Sequence, residues 1–237
     1  KQYNIDVMTG IRASDIEKTD DGIIVTLDNG PQLTSKTVII STGARWRKLE
    51  VPGEEELINK GVAFCPHCDG PLFENKNVAV VGGGNSGVEA AIDLAGIVKH
   101  VTLLERNATL KADNVLQERL ASLPNVTIIK NAQTTEVLGD SAVTGIKYQD
   151  KSLGEDHTLE LEGIFVQIGL LPNTEWLDNY VELNQAKEIV IDRKNATSIP
   201  GIFAAGDVTD DRNKQIIISM GAGANAALNA FDYIIRH

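Results

Sequence analysis

A glycine-rich turn between an apolar strand and a helix constrains this chain more than any other feature. Residues 77–96 run NVAVVGGGNSGVEAAIDLAG, where an apolar stretch is followed by three spaced glycines and then by apolar residues at helical spacing. In dinucleotide-binding folds the first glycine permits a sharp turn, the second admits a pyrophosphate, and the third lets the helix pack on the strand. Free N–H groups at the start of the helix attract phosphate. The pattern predicts a nucleotide site formed by Gly82, Gly84, Asn85, Ser86 and Gly87.

An acidic residue at the end of the next predicted strand bears on the choice of nucleotide. The strand HVTLLE covers residues 100–105 and ends at Glu105. A carboxylate there accepts hydrogen bonds from ribose hydroxyls and repels a 2′-phosphate, which favours NADH over NADPH. Arg106 follows directly, and an arginine can hold a 2′-phosphate. We expect Glu105 to bind the ribose, with a solvated acid at a strand end as the alternative.

The two cysteines of the chain, Cys65 and Cys68, both lie in the segment FCPHCDG. Such a pair forms a redox disulfide, half of a metal site or a structural staple. Zinc needs two further ligands, and the four histidines show no ligand spacing. A staple that closes so short a loop removes little chain entropy. We therefore favour redox chemistry, in which a protonated His67 stabilises a thiolate and Asp69 exchanges a proton with the neighbouring sulfur.

A second candidate cofactor site is the sequence AAGD, which ends a short apolar strand at Gly206 and Asp207. An aspartate there can accept a hydrogen bond from a sugar-alcohol hydroxyl, and a helix predicted over 214–237 directs its N-terminal N–H groups toward a ring or a phosphate. On the local sequence alone, a simple strand-ending turn is the alternative.

The charge of the chain bears on its partners. Its 237 residues include 22 basic and 33 acidic side chains, which gives a net charge of −11. An acidic protein repels nucleic-acid phosphates and anionic membranes, so we expect neither as a partner. No apolar run approaches the ~20 residues that span a bilayer, and two cysteines do not make a secreted disulfide framework. We expect a cytoplasmic protein.

The order of the predicted elements indicates an α/β protein. Strands are expected within residues 11–42 and in a second meander over 133–168, and a helix is expected over 112–123. The polar stretch VPGEEE, residues 51–56, is expected to form a linker.

Several segments together resemble one family. CPHCDGPLF, VAVVGGGNSGVEAAIDLAG, HVTLLE, FVQIGLLPNT, IFAAGD and TGARWRKLEVPGE are similar to segments of the flavoprotein (F) subunits of bacterial alkyl hydroperoxide reductases. Thioredoxin reductases share this layout. They typically carry other residues between the cysteines and an arginine-bearing segment after the second strand, where this chain has LLERNATL.

The resemblance implies two Rossmann-like, three-layer nucleotide-binding domains of the FAD/NAD(P)-binding disulfide reductase type. An NADH domain over 48–172 would carry the cysteine pair and would be inserted into an FAD domain made of 1–47 and 173–237. Cys68 would lie beside the flavin, and Cys65 would pass electrons on. The further cofactor ligands that the resemblance implies are Thr42, Gly43, Gly169, Gly206, Asp207, Lys214, Gln215 and Ile216.

The resemblance also implies a flow of electrons. NADH would reduce FAD, FAD the Cys65–Cys68 disulfide, and this pair a disulfide in an N-terminal thioredoxin-like domain that serves a hydroperoxide-reducing peroxiredoxin, the C subunit. A homodimer is implied as well. The thioredoxin-like domain and the first FAD-domain strand with its own glycine turn are missing here, so the FAD domain is expected to be incomplete at its N-terminus and to bind FAD poorly. Two alternatives stay open: a thioredoxin reductase, and an NAD-binding module without turnover.

Overall fold

The computed structural model describes residues 5–177 and 180–237, and the chain folds into two compact units. The central unit is the continuous segment Trp46–Leu170. The flanking unit combines Lys1–Arg45 with Leu171–His237. Where the central unit begins and ends, the backbone N–H of Arg47 donates to the carbonyl of Gly169 at 3.0 Å.

The described residues form fifteen strands and four α-helices. In chain order the strands are β1 (Ala13–Thr19), β2 (Gly22–Leu27), β3 (Gln32–Ser35), β4 (Val38–Ile40), β5 (Ala44–Trp46), β6 (Val62–Ala63), β7 (Asn77–Val81), β8 (His100–Glu105), β9 (Val126–Lys130), β10 (Ala132–Gly139), β11 (Val143–Asp150), β12 (Glu155–Glu160), β13 (Gly163–Val166), β14 (Leu170–Pro172) and β15 (Ile202–Ala204). The helices are α1 (Pro66–Asp69), α2 (Asn85–Ala95), α3 (Asn114–Ala121) and α4 (Ile216–Arg236).

A parallel sheet with the strand order β6-β13-β7-β8-β9 forms the middle layer of the central unit. Successive side chains of a strand point to opposite faces. Val78 and Val80 therefore pack on one face with α2 and α3, while Ala79 and Val81 pack on the other with the antiparallel meander β10–β12. Burial of both faces explains why β7 is apolar from Val78 to Val81 rather than alternating.

The flanking unit contains the antiparallel sheet β1-β2-β3 and a parallel pair, β4 with β15. Ile23, Ile40 and Ile202 contribute to one core of this unit. Helix α4 packs through Ala226 and Ala230 against Phe203 in a second, smaller core. The predicted α/β fold class is confirmed, and the central unit has the predicted three-layer, Rossmann-like arrangement.

The structure corrects the expectation that residues 51–56 form a linker. This segment belongs to the central unit, and Glu54 is only 2% exposed. The Glu54 carboxylate accepts hydrogen bonds at 2.8 Å from the backbone N–H groups of Leu49 and Glu50. The buried carboxylate thus closes the loop on itself, and the backbone N–H of Val137 donates to the carbonyl of Pro52 at 2.9 Å, which joins the loop to β10. A run of acidic residues in the sequence does not reveal such a role.

The described part of the chain contains no helix that is long and apolar enough to cross a bilayer. Within the same residues, no group of three or more His, Cys, Asp or Glu side chains is arranged to hold a metal ion.

Candidate nucleotide and redox site

The glycine turn connects β7 to α2, and each glycine is required for a different reason. Gly82 has φ +124°, and a Cβ on it would lie 2.3 Å from the carbonyl oxygen of Gln167. A Cβ on Gly87 would lie 1.9 Å from the carbonyl oxygen of Gly82, so only glycine lets helix and strand approach this closely. A Cβ on Gly84 would meet nothing within 4 Å, which leaves open space directly in front of the helix N-terminus.

That open space belongs to a cleft of about 640 Å³ within the central unit. Gly84 is the N-cap of α2 and provides no side-chain cap, so the first backbone N–H groups of the helix remain available to a ligand. Four cationic side chains line the cleft in a chain whose net charge is −11: Arg47, Lys48, Arg106 and Lys111. Free N–H groups and cations together suit a pyrophosphate.

The wall of the cleft also contains an unsatisfied polar group. Thr134 is 4% exposed, and its hydroxyl has no hydrogen-bond partner among the described residues. The pairing of β10 with β11 shifts register between Thr134 and Glu136, which is a bulge that re-aims side chains. The open glycine at the turn is what a cleft built for a polar nucleotide would show, whereas the Thr134 hydroxyl is sealed behind the surface of the wall.

Glu105 lies at the end of β8 and lines the cleft, but it is only 6% exposed. Its Oε2 accepts a hydrogen bond from the backbone N–H of Gly83 at 2.7 Å. Its Oε1 accepts one from the backbone N–H of Asn107 at 2.8 Å and another from the Asn107 side-chain amide. The carboxylate therefore fixes the glycine turn from behind, a role that the sequence did not suggest, and its contact with a ribose stays a prediction.

The other residues predicted in the nucleotide site are placed as follows. The Asn85 side chain accepts from the backbone N–H of Asp113 at 2.8 Å and donates to the Asp113 carboxylate at 3.1 Å, which connects the starts of α2 and α3. Ser86 is exposed and lines the cleft. Gly169 has φ +118° and also lines the cleft.

The two cysteines form a disulfide at the start of α1. Cys65 is the N-cap, and its Sγ accepts a hydrogen bond from the backbone N–H of Cys68 at 3.2 Å. Cys65 is half-buried and Cys68 is exposed. Because N–H donation stabilises negative charge on sulfur, the local geometry favours a thiolate at Cys65 after reduction.

The residues around the disulfide orient the short helix. His67 Nδ1 lies 3.5 Å from the Asp93 carboxylate of α2, so the imidazole has an acidic neighbour. Asp69 is half-buried, and its backbone N–H donates to the carbonyl of Cys65 at 3.0 Å. A Cβ on the buried Gly70 would lie 3.1 Å from Leu94, so a glycine after the motif lets α1 pack closely on α2. The proton-transfer role of Asp69 stays a prediction.

Sequence reasoning missed Gln167, which connects the cleft to the redox loop. Gln167 follows β13 directly, lines the cleft and is 7% exposed. Its side-chain Nε2 donates to the carbonyl of Phe64, the residue before Cys65, at 2.7 Å. The Phe64 ring stacks on Trp46 with the ring centroids 6.2 Å apart. The predicted sheet could have pointed to this residue, because the carboxyl ends of parallel strands meet at one edge of a sheet and ligands bind there.

The candidate flavin ligands lie in the flanking unit. Thr42 and Gly43 follow β4, and Gly206 and Asp207 follow β15, so all four lie at the carboxyl ends of two paired parallel strands. Asp207 Oδ1 accepts from the Ser219 hydroxyl at 3.1 Å.

Some of the candidate flavin-binding side chains already form hydrogen bonds or ion pairs within the flanking unit. Thr42 donates to the carbonyl of Asn173 at 2.9 Å. Lys214 lies 2.9 Å from the Glu188 carboxylate and donates to the carbonyl of Thr209. Gln215 is the N-cap of α4 without a side-chain cap, and Ile216 is strongly exposed. The unit thus offers an aspartate acceptor and a helix N-terminus, whereas Lys214 is already paired.

Comparison with known proteins identifies the family. Residues 1–223 match the model of the pyridine nucleotide-disulphide oxidoreductases. The chain belongs to the pyridine nucleotide-disulphide oxidoreductase family. This membership confirms the predicted oxidoreductase class.

Relatives within this family support the predicted resemblance. The chain is 76% identical over 236 residues to the F subunit of alkyl hydroperoxide reductase of Staphylococcus aureus strain MRSA252, and the match covers 100% of this chain and 46% of that protein. The corresponding protein of Staphylococcus epidermidis is 74% identical with the same coverage. The chain therefore spans about half the length of these curated relatives.

Solved structures in the family give the same fold. The thioredoxin reductase of Streptococcus pyogenes matches with a TM-score of 0.88 at 34% identity, covering 95% of this chain and 74% of that one. The enzyme of Giardia duodenalis matches with a TM-score of 0.89 at 28% identity, with the same coverage.

Proposed function

We propose that this chain is the catalytic part of an NADH-dependent, FAD-assisted disulfide reductase that supplies electrons to a peroxiredoxin. The observation that carries the proposal is the occurrence of an open glycine-turn cleft and the Cys65–Cys68 disulfide in one compact unit. A pyridine nucleotide releases two electrons as hydride, and a disulfide accepts two. Family membership and 76% identity to the F subunit of an alkyl hydroperoxide reductase support the same chemistry.

The proposed net reaction balances without any further reactant. NADH, one proton and the Cys65–Cys68 disulfide give NAD⁺ and two thiols. The S–S bond breaks, the sulfurs gain the two electrons of the hydride, and the second proton comes from solvent. FAD, when bound, supplies the relay by which a hydride donor reduces a disulfide.

The residues of the central unit would bind the nucleotide and direct the thiols. Gly84 and the N-terminus of α2 would receive the pyrophosphate, with Arg47 and Lys111 at the cleft contributing positive charge. After reduction, the N–H of Cys68 would hold Cys65 as the attacking thiolate, so Cys65 passes electrons onward.

The nucleotide would be NADH rather than NADPH. The carboxylate of Glu105 lies in the cleft wall behind the glycine turn, and a 2′-phosphate placed near it would be repelled. Arg106 would have the opposite effect, because it lines the same cleft and an arginine can hold a 2′-phosphate. Comparing the affinities of NADH and NADPH for one preparation of protein shows whether Glu105 or Arg106 has the larger effect.

FAD would be bound by the flanking unit. Asp207 would accept from a ribityl hydroxyl, and the uncapped N-terminus of α4 would face an electron-rich part of the flavin. Thr42, Gly43 and Gly206 would form the surrounding wall. The only G-x-G-x-x-G turn of the chain is the one at 82–87, so the flanking unit brings no such turn for the FAD pyrophosphate.

The partner would be a peroxiredoxin that reduces hydroperoxides. The relatives are named as F subunits of alkyl hydroperoxide reductase, and their additional length leaves room for the domain that would carry electrons to such a partner. We further propose a homodimer in the cytoplasm.

An anaerobic titration tests the proposed function. The purified chain, with and without added FAD, is titrated with NADH and separately with NADPH while flavin absorbance and free thiols are followed. We expect bleaching by NADH and two new thiols per chain. Absence of NADH binding would refute the proposal, and NADPH acting as well as NADH would refute the role of Glu105.

A cysteine variant separates the two half-reactions. Cys68→Ser prevents disulfide formation, so NADH should still bleach added flavin while no thiol is gained. Loss of flavin bleaching in this variant would contradict the assigned roles. Efficient reduction of a thioredoxin by the chain, in place of a peroxiredoxin system, would favour the thioredoxin reductase alternative, which the fold similarity also permits.

A further inference from the structure

The amide of Gln167 has one orientation that satisfies its surroundings. Its Nε2 lies 2.7 Å from the carbonyl oxygen of Phe64 and 3.0 Å from that of Val166. An amide has two N–H groups, and both are used by these carbonyls. A flipped amide would place Oε1 against two carbonyl oxygens, so the nitrogen must occupy that position.

The oxygen of the same amide is left as an acceptor at the cleft. Among the described residues no donor reaches Gln167 Oε1, and this oxygen is not among the sealed, unpaired polar atoms of the structure. Gln167 lines the cleft although only 7% of its surface is exposed. The cleft is therefore the space from which a ligand could reach this oxygen.

The position of Gln167 relative to the glycine turn limits what can bind to that oxygen. A Cβ on Gly82 would lie 2.3 Å from the Gln167 carbonyl, and one on Gly87 would lie 3.6 Å from the Gln167 Cβ, so the residue adjoins the turn. Phosphate oxygens are acceptors and cannot pair with Oε1. The group recognised there must be a donor. Strands β13 and β8 lie on opposite sides of β7, and the adenosine ribose is expected at the end of β8, beside Glu105. The half of the nucleotide nearer to Gln167 is therefore the nicotinamide half, which offers two donors: its carboxamide NH₂ and its ribose hydroxyls.

We propose that Gln167 is a positioning residue that connects the nucleotide to the redox loop: its N–H groups hold the backbone before Cys65 while its oxygen accepts a hydrogen bond from the nicotinamide half of the bound nucleotide. The inference rests on the proposed function, because it assumes that a pyridine nucleotide occupies the cleft. The Gln167 side chain would then have two partners at once: the carbonyl of Phe64, which lies 103 residues earlier in the chain, and a donor group of the nucleotide.

The binding test uses Gln167→Met, which keeps the length of the side chain and removes both amide groups. Binding of NADH, ADP-ribose and AMP to the flavin-free chain is measured by fluorescence and calorimetry. A lost hydrogen bond predicts a roughly 3- to 10-fold rise in the NADH dissociation constant and no change for AMP. A loss confined to NADH assigns the contact to the carboxamide, whereas an equal loss for ADP-ribose assigns it to the ribose.

The redox-loop test uses hydrogen exchange of the amides in residues 64–69. Gln167→Met should exchange faster there by roughly 3-fold or more, because the loop loses its 2.7 Å bond, and the amides of α3 should exchange as in the wild type. Gln149→Met on the exposed side of β11 is the matched control for both measurements. Gln167→Leu replaces the methionine variant if the latter does not fold.

The outcomes distinguish failure of the proposed function from failure of the role assigned to Gln167. If the wild type does not bind NADH, the proposed function fails. If the wild type binds NADH and Gln167→Met binds it with the same dissociation constant, the acceptor role of Gln167 is wrong while the proposed function stands. Unchanged exchange in residues 64–69 would overturn its role in holding the loop.

Discussion

Replacement of Glu105 by glutamine separates a structural carboxylate from a ribose ligand. The wild-type carboxylate receives three hydrogen bonds: one from the backbone N–H of Gly83 at 2.7 Å, one from the backbone N–H of Asn107, and one from the side-chain amide of Asn107. In Glu105→Gln the single amide oxygen can accept either from Gly83 or from Asn107, but not from both. Its NH₂ would then face an N–H group, so one buried donor loses its partner.

The size of the effect follows from these bonds. A hydrogen bond to a charged group contributes about 1.5–3 kcal/mol, and an unsatisfied buried donor costs about 1–3 kcal/mol. We expect the free energy of unfolding of the central unit to fall by about 2–4 kcal/mol. In a domain of this size that corresponds to a drop of roughly 4–16 °C in melting temperature.

Thermal and urea unfolding followed by circular dichroism measure this loss. Glu118→Gln, on the exposed face of α3, is the control and should change stability by less than about 0.5 kcal/mol. NADH affinity should also decrease, since the glycine turn loses its support. A Glu105→Gln protein that unfolds like the wild type would show that the buried hydrogen bonds do not support the turn.

Three further changes test the cleft and the flanking unit. Gly84→Ala should unfold like the wild type, because its Cβ meets nothing within 4 Å, yet it should weaken NADH binding roughly 10-fold or more by blocking the pyrophosphate, as calorimetry would detect. Gly83→Ala should instead destabilise the central unit by about 1–3 kcal/mol in urea unfolding, because its Cβ would lie 2.6 Å from the Glu105 carboxylate. In the flanking unit, the hydrogen bond from Arg45 lowers the pKa of Glu175, so its contribution to stability is present above the ordinary value of about 4.3 and is lost as pH falls through the lowered pKa. Glu175→Gln should remove this dependence. We expect the wild type to have the higher urea midpoint of unfolding at pH 7 and the two proteins to have equal midpoints at acidic pH.

The parts of this protein that could be predicted from the sequence are those with local causes. The glycine turn, the apolar strand β7 and the amphipathic helix α2 follow from spacing over about twenty residues, and their bounds differ from the expected 77–96 by one residue. The Cys65–Cys68 pairing is equally local, because the two residues lie one helical turn apart.

The parts that could not be predicted depend on contacts between distant segments. Glu54 appeared as one of three acids in a polar run, but only the folded loop brings its carboxylate to the N–H groups of Leu49 and Glu50. Thr134 is an ordinary strand residue by sequence, and neither its unpaired hydroxyl nor the register shift beside it in the pairing of β10 with β11 has a local signal. Gln167 meets Phe64 only because β13 pairs with β6 in the parallel sheet.

The discontinuity of the flanking unit has a consequence for the order of folding. Strand β4 pairs with β15, although the whole central unit lies between them in the chain. Closing so long a loop in an unfolded chain is entropically unfavourable. The central unit is continuous, and Arg47 near its start is joined to Gly169 near its end by a backbone hydrogen bond. Once it has folded, this hydrogen bond keeps close together the two points at which the chain continues into the flanking unit, at Arg45 and Leu171. We therefore expect the central unit to fold first and to lower the entropic cost of pairing β4 with β15.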